Sequence, residues 1–192
     1  MNPLYGTALL ALGLVLSNVV HAHIGVHANG SFETGLMHPF SGMDHMLAMI
    51  AVGLWAAQSG RRNLLSIPAV FVTVMAVGAA IGISGGSVPF AESGIAFSVA
   101  ILGVLLALAV RGTWQWSAPL IAMFALFHGF AHGTEIPQFA SPASYFAGFL
   151  MATLMLHACG IAAAITLKNQ ATALRAGGAV IGLAGMWMVL AA

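Results

Sequence analysis

Eight histidines and four acids are spread unevenly along a chain in which only 5% of residues are charged. Two stretches gather half of them. The first is Met37-His38-Pro39-Phe40-Ser41-Gly42-Met43-Asp44-His45; the second is Phe127-His128-Gly129-Phe130-Ala131-His132-Gly133-Thr134-Glu135. Imidazole nitrogen with carboxylate oxygen suits borderline divalent ions such as nickel, cobalt, copper and zinc better than magnesium or calcium. On one straight helix His38 and His45 share a face about two turns apart, and Asp44 points roughly 100° away. Asp44 then either flanks the same cavity or orients a histidine. In the second stretch His128 and His132 stand at i and i+4, and Glu135 follows at i+7, all on one face if the helix extends that far. Two imidazoles at that spacing can hold a single ion. His157, in Leu156-His157-Ala158-Cys159, is isolated, and reads either as a ligand or as a buried, hydrogen-bonded structural histidine. His23 and His27 form a short histidine segment near the start, where a free amine at His23 adds a ligand once the preceding residues are removed. The expected metal ligands are therefore His38, Asp44, His45, His128, His132, Glu135, His157 and His23. The competing account of these groups is a set of interhelical polar contacts, which are real but modest in energy.

The elements that position them are membrane helices. Sixty per cent of the 192 residues are hydrophobic, and soluble domains carry about a quarter charged residues. The composition predicts an all-α, polytopic membrane helix bundle. Residues 1–22 read as a signal peptide, because the small-x-small pattern Val20-His21-Ala22 follows an apolar run. The start lacks Lys and Arg, so an uncleaved first helix is the alternative. Residues 23–192 then form a single transmembrane domain. Six spans are expected near 36–57, 64–83, 93–110, 117–133, 143–167 and 173–190, each about 20 apolar residues. On this straight-span reading Asp44 and His45 lie about 12–13 Å below the outer end, at about 1.5 Å per residue.

Charge orients the bundle. Arg61, Arg62, Arg111, Lys168 and Arg175 all fall in connections on one side, and Glu33, Glu92 and Glu135 fall on the other. The positive-inside rule makes the basic side cytoplasmic. The expected location is a bacterial inner membrane, with mature N- and C-termini in the periplasm. Glycines at four-residue intervals, Gly78, Gly82 and Gly86 and then Gly178 and Gly182, allow close helix packing and also offer homo-oligomer contacts. Cys159 reads as a small buried packing residue, and Met37, Met43, Met46 and Met49 as apolar filler. No basic tract points to nucleic acid, and no Walker-type phosphate loop points to ATP hydrolysis.

An Asp near the centre of a span costs roughly 2.5–3.5 kcal/mol even on gentle insertion scales, so such groups mark function. At these residues the chain resembles the HupE/UreJ family of small nickel/cobalt permease-like membrane proteins. The resemblance rests on His38-Pro39-x-x-Gly42-x-Asp44-His45 and on Phe127-His128-Gly129-x-Ala131-His132-Gly133-x-Glu135, in that order and about 90 residues apart. It covers the whole chain and implies uptake of nickel or cobalt, with His38, Asp44, His45, His128, His132 and Glu135 as motif residues. The metal is then cargo, with no permanently bound cofactor and no enzyme activity, and the residues leave zinc and copper open. Two other classes stand beside it: a haem-binding membrane cytochrome with paired axial histidines, and a zinc-dependent intramembrane hydrolase.

Overall fold

Backbone polar groups in an apolar phase must be satisfied within their own segment, and the described residues do this with helices alone. A computed structural model describes residues 30–191; the expected signal peptide and His23 lie outside the described residues. Within them, seven α-helices follow in order and no strand occurs: α1 Ser31–Ser41, α2 Met43–Gln58, α3 Arg61–Ile83, α4 Ala91–Ala107, α5 Trp114–Thr134, α6 Pro142–Thr166 and α7 Ala171–Ala191. The α3, α6 and α7 helices are long and apolar enough to cross a membrane on that basis alone. Joined as one bent span, α1 and α2 make a fourth. At about 1.5 Å per residue, α4 reaches about 25 Å.

The first expected span is not straight. It breaks at Gly42 into α1 and α2, which meet at 82°. The bend corrects one expectation, since His38 and His45 do not share one helix face, and it places Asp44 in the first turn of α2. Pro39 sits in the last turn of α1. Lacking an N–H, it cannot bond the carbonyl four residues back. Gly42 is extended, with φ −103° and ψ 121°. A Cβ there would stand 2.7 Å from an Asp44 carboxylate oxygen and 3.0 Å from His45 Nδ1, so a larger residue would push that pair aside.

Glycine-on-backbone seams join the helices in pairs. Added Cβ atoms at Gly129 and Gly133 of α5 would overlap the carbonyls of Met75 and Ala79 in α3, and Gly78 and Gly82 return the contact. Gly178, Gly182 and Gly185 of α7 lie on α4 around Ala100, Gly103 and Ala107. Gly35 of α1 seats on the Tyr145 carbonyl of α6, and Gly148 on that of Phe32. The expected stripes are thus filled by the chain's own helices, except that Gly86 lies beyond the end of α3. Gly129 and Gly133 thus admit α3, while the other histidines reach α5 from α1 and α2.

The two ends of the bundle differ in charge. At one end the loop after α4 is tied down by Trp55 Nε1 and Gln58 Nε2, which donate to the Val110 carbonyl at 2.9 and 3.1 Å. Asn63 Nδ2 donates to the Gly112 carbonyl at 2.7 Å. Arg62 lies over the Trp114 ring, Arg175 donates to the Ala107 carbonyl, and Arg111 and Lys168 line one cavity. At the opposite end Glu135 meets His38, and Glu92 lines a cavity with Asp44.

Candidate metal centre

At the acidic end, α1, α2 and α5 bring their histidines together. His38 Nε2 donates to a Glu135 carboxylate oxygen at 3.1 Å, and His132 Nδ1 lies 3.6 Å from that oxygen. One ligand atom from each of His38, His132 and Glu135 falls within 4.8 Å of the others. An ion with bonds of about 2.1 Å requires these atoms to draw closer together than this. The α5 helix stops at Thr134, and Glu135 caps it, with its N–H on the Ala131 carbonyl. The carboxylate still reaches the cluster. The imidazoles of His132 and His38 beside Glu135 hold its carboxyl well below the usual carboxylate range. The C-terminal end of α5 adds its negative dipole, which favours a cation.

The series continues inward. The His132 ring stands 4.7 Å from that of His38 and 4.1 Å from that of His45, and His45 stands 5.0 Å from His128. Hydrogen bonds settle where the lone pairs point. The Nδ1–H of His45 donates to Asp44 at 2.8 Å, which leaves Nε2 as a buried lone pair with no partner among the described residues. Asp44 therefore orients a histidine, the second of the two roles its position allowed. Ser98 Oγ gives its one proton to the Ile95 carbonyl at 2.7 Å, so it accepts from His128 Nε2–H at 2.9 Å. His128 Nδ1 then carries a lone pair, also buried and without a partner among the described residues. Both nitrogens of the fully buried His132 are likewise without a partner among the described residues, and in the neutral ring one of the two carries a lone pair. Three neighbouring imidazoles thus each hold a buried unprotonated nitrogen with no partner among the described residues.

The structure gathers six of the eight expected ligands: His38, Asp44, His45, His128, His132 and Glu135. His157 is buried but stands apart from them, behind Phe71. Several members of the site carry no sequence signal. Ser98 is an ordinary serine in an apolar helix. Tyr145 is fully buried, its ring 5.8 Å from His38 and its hydroxyl without a partner among the described residues. Phe149 packs on His132 at 3.9 Å.

The HupE / UreJ protein family model matches residues 10–188. Protein HupE of Rhizobium leguminosarum bv. viciae is 46% identical over 170 residues, covering 87% of this chain and 88% of that protein. No solved structure gives a significant match.

Proposed function

The chain belongs to the HupE/UreJ family, and we propose that it is a membrane permease that takes up a divalent transition metal through the histidine and carboxylate path at the acidic end of the bundle. Nickel is the first candidate and cobalt the second, as the family resemblance implies. The observation that carries the reading is the convergence of His38, His132 and Glu135 ligand atoms within 4.8 Å, continued inward by His45 and His128. An isolated structural histidine would end in a hydrogen bond; here several buried nitrogens of neighbouring rings have no partner among the described residues. A cytochrome would hold a planar macrocycle between two of these imidazoles. Their rings touch, which favours overlapping ligand sets for a small ion.

The test is metal accumulation in cells expressing the chain, compared across nickel, cobalt, copper and zinc. The expected result is accumulation of nickel or cobalt that depends on the chain. Equal metal content with and without it, at verified membrane abundance, sinks the proposal.

The proposed topology has six spans, with α1 and α2 together forming the first, in a bacterial inner membrane. Its support is the gathering of all five basic residues at one end and of Glu92 and Glu135 at the other. Reporter fusions after Arg111 are expected to be cytoplasmic, and those after Glu135 and Ala192 periplasmic. Arg111 and Glu135 reporting from the same side would overturn the six-span arrangement.

A further inference from the structure

We infer that His157 and Thr153 of α6 form an inner ion position, and that the ring of Phe71 is the barrier an ion crosses to reach it from the outer histidines. The inference rests on the transport reading above. His157 is 1% exposed, and neither ring nitrogen has a hydrogen-bond partner among the described residues. Thr153, one turn earlier on the same face, is fully buried, and its Oγ1 is likewise unpartnered among them. A helical hydroxyl ordinarily bonds the carbonyl one turn back, as Thr166 does with Ala162 at 2.7 Å. Thr153 does not. Two side chains on one face thus hold three buried polar atoms without partners, a condition native interiors avoid. A partly hydrated borderline cation would satisfy them: imidazole nitrogen and hydroxyl oxygen serve as donors, and the ion's waters reach the remaining atoms.

Phe71 of α3 is fully buried, and its ring lies 5.8 Å from His128 and 5.2 Å from His157. No direct ring contact joins His128 to His157 among the described residues. Outward of Phe71, each imidazole touches the next. Here the polar path is interrupted by a single apolar ring, and a hydrophobic constriction of that kind gates ions by excluding water. The α6 backbone is held at this depth, because Gly53 of α2 seats on the His157 carbonyl. The ring is then the part free to turn aside.

The test uses the full chain in liposomes, with nickel ions alone as probe. Uptake into the lumen and nickel bound at equilibrium are measured for the parent, Phe71→Leu, Phe71→Ala and His157→Gln. Phe71→Ala is expected to speed flux several-fold, and Phe71→Leu, which keeps most of the volume, to do so more weakly. His157→Gln is expected to lose about one equivalent of bound nickel and to slow flux about 10-fold or more, while nickel at the outer histidines stays. Elution as the same monodisperse species as the parent is required of each variant. Parent-like flux and stoichiometry in His157→Gln would overturn the inner position. Unchanged or slower flux in both well-folded Phe71 variants would overturn the barrier. If the parent itself carries no nickel above empty liposomes, the transport reading falls, and this inference with it.

Discussion

Replacing His132 by Ala or Gln is expected to lower nickel accumulation at least 10- to 100-fold at unchanged protein abundance, because losing only a supporting group typically costs that much affinity at a metal site. His132 is the member shared by both parts of the cluster. It lies beside Glu135 and His38 on one side and His45 on the other. His45→Ala should have a comparable effect, and the double variant should be hardly worse than either single one, since residues serving one ion are not additive. His132→Gln keeps most of the ring's volume and separates loss of a ligand from loss of packing. Arg175→Ala, at the exposed basic end, should change little. Normal accumulation in His45→Ala and both His132 variants would return these histidines to interhelical packing.

The second large effect concerns the crossing that holds the path in place. A Cβ at Gly53 would overlap the His157 carbonyl and stand 3.1 Å from Gly160 Cα, and one at Gly160 would overlap the Ile50 carbonyl. Neither neighbour is a flexible side-chain end, so the strain cannot be relieved by a rotamer change. Gly53→Val is therefore expected to destabilise by at least about 1–3 kcal/mol, the usual cost of overpacking, and to reduce abundance markedly. Gly177, with nothing within 4 Å of an added Cβ, is the control. Its replacement by Ala should be neutral or stabilising by about 0.5–1 kcal/mol, from helix propensity. A thermal denaturation series on detergent-purified protein measures both, and equal midpoints for Gly53→Val and the parent would refute the close crossing.

Much of this arrangement was legible in residue types and spacing. The i, i+4 pair His128 and His132 lies on one face of α5, and Glu135 follows on that face. The basic connections gather at one end because charge must stay at the membrane surface, which a sequence displays directly. The break at Gly42 was not legible. An unbroken apolar run reports that a segment is buried and says nothing of its direction, so Pro39 and Gly42 read as features of one straight helix. The partner of the glycine face on α5 was hidden for a similar reason: small residues announce a close approach without identifying what approaches. Ser98 and Phe71 escaped because a serine or phenylalanine in a membrane helix is ordinary until its neighbours are known. Each acts through a histidine on another helix.

The spacing of the rings has a kinetic consequence. From His38 through His132 and His45 to His128, successive centroids are 4.7, 4.1 and 5.0 Å apart, so each imidazole lies beside the next along the series. Under the transport reading, an ion moving along them trades one donor at a time and keeps the rest. Its coordination shell is never emptied, and each hop is limited by exchange of one bond rather than by stripping a divalent ion bare. Firm capture and prompt release conflict at a single deep well, since conduction needs binding strong enough to enter and weak enough to leave. A chain of overlapping shallow wells reconciles them.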